Sequence, residues 1–247
     1  TAGSIRSEKI IEQLFTTNKN IEIFVLCSMP KMYGRINEVK FSTLEKKYGQ
    51  KLIIKRFNIP YFGKSPTMAS LSYIFYFLKV IPFLILIRPS IIFATSAKLL
   101  TAFSGAIAAF FTKSKLFIDY RDTFSDNFYY LYRWKRKIFF HWIILASEKF
   151  VFESAHSINF VSPGFKEIYF DLNKSINNKK LKITYFTNGI DPKYSELIIN
   201  KELEKKTTSN TLYKVIYAGN LGAGQDILGI LTDIGKSAEN IKFMLEN

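Results

Sequence analysis

The 247-residue sequence has few of the residues that build disulfides and metal sites. It contains one cysteine, Cys27, and two histidines, His141 and His156. A single cysteine excludes a disulfide framework and a cysteine-built zinc site, and it favours a reducing compartment. The sequence also has no Asp-x-Asp triplet, which is the usual acidic grip on a metal-bound nucleotide diphosphate. We therefore expect no metal site and no cofactor.

Acidic residues are missing from a long part of the chain. None occurs between Glu45 and Asp119, whereas residues 46–118 contain 11 Lys and Arg. The net charge of +15 lies entirely before residue 199, because six acidic and six basic residues balance from there to the end. This bias indicates an anionic partner (nucleic acid, an acidic membrane surface or a phosphorylated substrate), or simply a basic surface that keeps the protein soluble. No helix-turn-helix, zinc-finger or RNA-recognition signature supports nucleic acid.

No apolar run is long enough for a typical membrane span. The segment 71–87 has 17 residues and includes Lys79 and Pro82, whereas a span needs about 20 apolar residues. It predicts a core helix first and a helix partly sunk in a membrane surface second. The segment 128–145 mixes four cations with Tyr, Trp and Phe. It suits either the headgroup layer or an ordinary amphipathic helix with one basic face.

What the sequence does contain is a regular alternation of apolar strands and helices. Strands are predicted at 21–28, 51–59, 91–95, 116–120, 158–162, 182–187, 213–219 and 241–245. The polar stretch 30–49 predicts no regular element. Alternation of this kind is typical of an α/β fold with parallel sheets covered on both faces.

The texture of the sequence changes near residue 200, where it becomes polar. We predict a first domain at 1–200, a linker at 201–211 and a second domain beginning at 212–247. A Gly-Ser loop that opens a helix usually follows a strand. We therefore expect that this sequence lacks a first strand and most of the second domain.

Two loops near strand ends carry candidate binding residues. Gly3, Ser4 and Arg6 open the first helix, whose free N–H groups and cation suit a phosphate; the alternative is a simple helix cap with an exposed Arg. Arg121 and Asp122 follow a buried strand and would face the crevice beyond the sheet. The alternative there is a structural Asp–Arg pair that closes the loop.

Three further turns follow predicted strands. Residues 162–165 and 188–191 are generic turns, the second of the Asn-Gly type. The loop 219–225 can cradle a diphosphate on its backbone N–H groups or serve as a flexible strand–helix turn.

Six motifs together resemble the family-four retaining glycosyltransferases, two-domain enzymes of the GT-B fold. They are GSIR at 3–6, ATS at 94–96, DYRDTF at 119–124, NFVSPGF at 159–165, TNGID at 187–191 and YAGNLGAGQDI at 217–227. No single motif is specific, but their order and spacing are similar to the bacterial branch that builds O-antigen, capsule or colanic-acid polysaccharide.

The resemblance implies an N-terminal Rossmann-like domain that binds the acceptor and a C-terminal one that binds a nucleotide-sugar. It places Gly3, Ser4 and Arg6 on the acceptor side, and Asp122 with Arg121 near the transferred sugar. The implied donor-side residues are Asn188, Gly189, Asp191, Gly219, Asn220 and Gln225. It further implies metal-independent transfer, with retention, to a lipid-linked saccharide of the undecaprenyl-diphosphate type. The enzyme would be cytoplasmic and peripheral on the inner face of the bacterial plasma membrane.

Two departures from the family pattern stand out. Asn220 and Gln225 occupy positions where many members have Arg and Lys, although the polysaccharide branch often has Asn and Gln there. The family's Glu-x7-Glu donor motif would lie beyond Asn247, so this stretch of chain is not expected to be a competent enzyme by itself. A non-catalytic membrane-surface assembly subunit with the same fold is the alternative.

Overall fold

The chain forms two compact units, residues 1–189 and 190–247. A computed structural model describes residues 2–28, 39–60, 66–96, 99–121, 137–172, 181–187, 213–217, 227–237 and 241–245. The predicted linker at 201–211 lies outside these residues.

The first unit alternates helices and strands along the chain. Its described helices are α1 (Ala2–Thr17), α2 (Val39–Tyr48), α3 (Pro66–Ile87), α4 (Leu99–Thr112), α5 (Lys137–Ser154) and α6 (Pro163–Leu172). Its described strands are β1 (Ile23–Ser28), β2 (Leu52–Phe57), β3 (Ile91–Ser96), β4 (Lys115–Tyr120), β5 (Ser157–Phe160) and β6 (Lys182–Tyr185). A 3₁₀ turn, Gly49–Lys51, joins α2 to β2.

All the described strand pairs are parallel. Strands β1 and β2 form one pair, and β3, β4, β5 and β6 form a second sheet in chain order. Parallel neighbours need a crossover connection, and helices supply it here, as in any βαβ unit. The predicted α/β fold with Rossmann-like parallel sheets is therefore confirmed.

The larger core lies between the four-stranded sheet and helices α3, α4 and α5. Ile118 on β4 and Ile158 on β5 are buried on this face, together with Phe152 of α5. Helix α4 approaches the sheet so closely that a Cβ atom at Gly105 would lie 3.1 Å from Leu116 Cδ1. Small residues on α4, including the fully buried Ala106, make this close packing possible.

A smaller core joins α1 and α2 to the β1–β2 pair. Ile11 and Phe15 of α1 pack with Leu44 of α2 and Leu52 of β2. The ring of Tyr48 stacks on Phe15 with centroids 4.2 Å apart.

Helix α2 corrects the prediction for residues 30–49, of which the structure describes 39–49. A polar, irregular stretch was expected, and Val39–Tyr48 is helical instead. Leu44 and Tyr48 lie four residues apart on one helix face, and both belong to the smaller core that includes Ile11 and Phe15 of α1. Two apolar side chains on one turn are too weak a periodic signal to reveal the helix before its partner is known.

Helix α3 contains the apolar segment 71–87. One side of it is core, since Val80 and Leu84 are 4% and 8% exposed. The other side is not covered: Leu78 and Leu86 are 59% and 78% exposed. None of the described helices combines the length and apolar character that a membrane crossing requires.

The described part of the second unit is a strand–helix–strand unit, as predicted. Strand β7 (Tyr213–Tyr217) and strand β8 (Ile241–Leu245) are parallel neighbours, and helix α7 (Ile227–Ser237) lies between them in the chain.

Candidate functional site

A row of polar residues crosses the carboxyl end of the four-stranded sheet. Each strand carries one as its penultimate residue: Thr95, Asp119, Asn159 and Thr184. The register pairs each with the next across β3, β4, β5 and β6. Successive strand residues point to opposite faces, so this polar row faces away from the core side chain Ile118. In open parallel sheets this edge is where ligands bind.

Asp119 is the centre of the row and is 1% exposed. Its Oδ2 accepts from Thr95 Oγ1 at 2.8 Å and from Arg6 Nε at 3.0 Å. Its Oδ1 accepts from Asn159 Nδ2 at 2.7 Å and from Arg6 Nη2 at 2.8 Å. Four donors therefore occupy the acceptor sites of this buried carboxylate.

The surroundings of Asp119 fix its charge state. Burial raises the pKa of the carboxyl group, but the hydrogen bonds from Arg6, Asn159 and Thr95 favour the charged form more strongly. The net result is a pKa below the usual value for aspartate. Asp119 is therefore an anion near neutral pH.

Arg6 links three distant parts of the chain. It lies on α1, and besides Asp119 it reaches the segment after β6: Nη1 donates to Thr187 O at 2.9 Å and Nη2 to Phe186 O at 3.2 Å. Its side chain is 15% exposed. These contacts fix the beginning of α1 over the carboxyl ends of β4 and β6.

Asn159 holds the same segment from the sheet side. Its Oδ1 accepts from the Phe186 N–H at 2.7 Å, and its Nδ2 donates to Phe186 O at 3.2 Å as well as to Asp119. The hydroxyl of Thr184 lies 3.3 Å from Asn159 Oδ1. Residues 186 and 187 are thus held against the row.

The structure brings some of the predicted site residues to this edge. Gly3 and Ser4 lie in the first turn of α1, just before Arg6. The first four N–H groups of a helix have no partner within it. Arg121 follows the last residue of β4 directly and is partly exposed.

Seven predicted site residues lie outside the described residues. They are Asp122, Asn188, Gly189, Asp191, Gly219, Asn220 and Gln225.

Arg6 makes a contact that its motif did not predict. Its guanidinium forms a bidentate pair with Asp119. An Asp–Arg pair does exist next to the predicted loop, but its aspartate lies in β4 and its arginine comes from α1, 113 residues away in the chain. Arg6 therefore acts on the position of the first helix turn, where Gly3 and Ser4 lie.

Sequence reasoning missed Thr95, Asp119 and Asn159 as individual site residues, although each belongs to a quoted motif. The signal was present: each is a polar residue one position before the end of an apolar strand. Only the strand register shows that the three lie side by side.

Within the described residues, no group of three or more His, Cys, Asp or Glu side chains is arranged to hold a metal ion. No protein-family model and no curated protein matches this sequence.

Proposed function

We propose that this chain contains the acceptor-binding domain of a GT-B glycosyltransferase. The enzyme transfers a sugar from a nucleotide-sugar to a lipid-linked saccharide at the inner face of the bacterial plasma membrane, with retention and without a metal. The observation that carries the proposal is the Arg6–Asp119 pair, which fixes the start of α1 at the carboxyl edge of the sheet.

A fixed helix start suits a phosphate-bearing ligand. The unpaired N–H groups of the first turn, with the positive end of the helix dipole, attract phosphate or carboxylate oxygens. Glycine at position 3 lets a ligand approach the backbone closely. Because Asp119 neutralises Arg6, these backbone donors, rather than that guanidinium, are proposed to meet the ligand.

The role of acceptor-orienting carboxylate falls to Asp122. Asp119 is already saturated by four donors, so it serves as a positioning residue. Asp122 follows three residues later, and Arg121 lies between them. We assign to Asp122 the orientation of an acceptor or sugar hydroxyl, and to Arg121 a supporting charge at the same loop.

The donor side is assigned to the two Gly-containing turns. Residues 186 and 187, held by Arg6 and Asn159, lead directly into Asn188, Gly189 and Asp191. Gly219, Asn220 and Gln225 follow β7, where backbone N–H groups can bind a diphosphate. Preorganised donors of this kind stabilise the negative charge that develops on the leaving diphosphate.

The test is a transfer assay with the full-length protein, a panel of nucleotide-sugars and a lipid diphosphate saccharide. Asp122→Asn should lower turnover at least tenfold, about 1.4 kcal/mol of barrier. Asp233→Asn, at an exposed position of α7, is the control and should leave turnover unchanged. Unchanged turnover in Asp122→Asn would remove Asp122 from the site. Absence of both transfer and nucleotide-sugar binding would favour the assembly-subunit alternative.

A further inference from the structure

Helix α3 carries an apolar stripe on the side that faces away from the core. Its members share one helix face at spacings of three, four and eight residues: Leu71, Ile74, Phe75, Leu78 and Leu86. They are 38%, 44%, 36%, 59% and 78% exposed in that order. A surface helix normally turns charged and polar residues outward. Helix α3 is apolar on both its inner and its outer side. These five outer residues, the α3 stripe, therefore expose apolar side chains where a surface helix has polar ones.

The stripe is long and has no hydrogen-bonding side chain. From Leu71 to Leu86 the helix rises ~22 Å. Pro82, which lies between Leu78 and Leu86 on the same face, is exposed and also apolar. A protein partner of ordinary composition would meet some polar groups over such a distance. A purely apolar strip is better matched by hydrocarbon.

Within the part of the chain that the structure describes, the charges that border the stripe and its C-terminal loop are basic. Lys79 borders it and is exposed, and Arg88 follows two residues after Leu86. The loop that begins at Arg88 is bonded to the loop of Lys113 and Lys115, because the Lys115 N–H donates to Ser90 O at 3.0 Å. All four cations are exposed, and the sequence has no acidic residue between Glu45 and Asp119.

We propose that the α3 stripe is the surface through which this unit docks on an anionic lipid membrane. The aliphatic and aromatic side chains enter the boundary between headgroups and acyl chains, as in interfacial helices. The flanking lysines and arginine contact lipid phosphates, and their long stems extend along the apolar surface. This inference deepens the proposed function. It rests on that function only in so far as a lipid-linked acceptor requires the enzyme to be at a membrane.

Charge complementarity selects the membrane over a second copy of the chain. Two copies meeting at this stripe would bring their basic flanks together, and like charges across an interface are unfavourable. An anionic bilayer supplies the opposite charge on every side of the stripe.

The test is sedimentation with phosphatidylcholine vesicles, with and without about 30% phosphatidylglycerol, because an anionic surface attracts each nearby basic residue by about 1 kcal/mol. Binding to the anionic vesicles should be at least tenfold tighter. The double variant Leu78→Gln/Leu86→Gln should bind at least tenfold more weakly than the unmodified protein. Both leucines are largely exposed, so circular dichroism should show an unchanged fold.

A matched control changes two exposed leucines elsewhere. Leu14 on α1 and Leu228 on α7 are 46% and 77% exposed, and Leu14→Gln/Leu228→Gln should bind vesicles like the unmodified protein. The proposal is overturned if both double variants bind alike. It is also overturned if the protein does not bind vesicles but forms a dimer that Leu78→Gln/Leu86→Gln abolishes. Nucleotide-sugar binding is measured separately without vesicles. If the unmodified protein binds no nucleotide-sugar, that result counts against the proposed function and not against the docking surface.

Discussion

A single buried carboxylate, Asp119, connects three parts of the first unit. It accepts hydrogen bonds from Arg6 on α1, Thr95 on β3 and Asn159 on β5. Removing a carboxylate from water is costly, and only well-placed donors compensate for it. The loss of one charged partner therefore leaves the other buried and unpaired.

We predict that Arg6→Met lowers the free energy of unfolding by about 3 kcal/mol, because it leaves Asp119 without its counter-charge. Thr95→Val removes one neutral donor and should cost about 1 kcal/mol. Urea unfolding followed by circular dichroism measures both. Lys9→Met on the same helix is the control: Lys9 pairs with Glu12 at 3.3 Å but is 58% exposed, so its loss should cost well under 1 kcal/mol. Equal effects at Arg6 and Lys9 would contradict the anchoring role.

The lowered pKa of Asp119 predicts an acid-dependent stability. The folded pKa lies below the ordinary value of 3.8, so this contribution is fully present above about pH 4 and is lost as the pH falls through the folded pKa. The difference in urea midpoint between the unmodified protein and Asp119→Asn should therefore shrink below about pH 4. Because the hydrogen bonds from Lys47 and Lys9 also lower the pKa of Glu12, the same series is repeated in Glu12→Gln. A difference in urea midpoint that does not depend on pH would show that the charge of Asp119 does not contribute to stability.

At the scale of elements, the close contact between α4 and the sheet is the most restrictive feature. A Cβ at Gly105 would lie 3.1 Å from Leu116 Cδ1, 3.3 Å from Ala94 Cβ and 3.4 Å from Ile92 Cγ2. These neighbours belong to two strands, so they cannot all move aside at once. A larger residue at position 105 therefore requires these side chains to shift or the helix to move away from β3 and β4.

We predict that Gly105→Val destabilises the protein by about 2 kcal/mol, the usual cost of overpacking a core. Gly164→Val in the first turn of α6 is the matched control. There a Cβ would meet only Ser162 Oγ, at 3.9 Å, and the change should stay within about 0.5 kcal/mol. Thermal unfolding compares the two. A loss at Gly164 as large as the loss at Gly105 would indicate a general helix effect instead of close packing.

The elements also show where sequence patterns suffice. The predicted strands at 91–95 and 116–120 correspond to β3 and β4, because short runs rich in Ile, Phe and Tyr are typical of buried strands. Helix α2 was missed because its apolar face is small. Which side of α3 faces outward could not be predicted either. A helix that is apolar all round has the pattern of a buried helix, and the pattern does not show which side is covered.

For the whole molecule, the +15 charge would attract any polyanion, including duplex DNA. Attraction of that kind arises from counterion release and disappears in salt. Docking through the α3 stripe adds an apolar contribution that salt does not screen.

We therefore predict that raising NaCl from about 50 to 500 mM abolishes binding to a mixed-sequence DNA duplex but leaves measurable binding to anionic vesicles. Fluorescence anisotropy with labelled DNA and vesicle sedimentation make the comparison. Duplex binding that is tighter than vesicle binding at both salt concentrations would point to nucleic acid as the partner of the basic surface.

The sequence by itself determined the parallel α/β class and the charge asymmetry. These follow from local periodicity and composition, which are properties of neighbouring residues. Only the tertiary structure decided that Arg6 pairs with Asp119, since the pair spans 113 positions and depends on strand register. It alone also decided which side of α3 is covered. Hydrophobicity indicates that a face avoids water, but the packing of the other elements decides which face is left exposed.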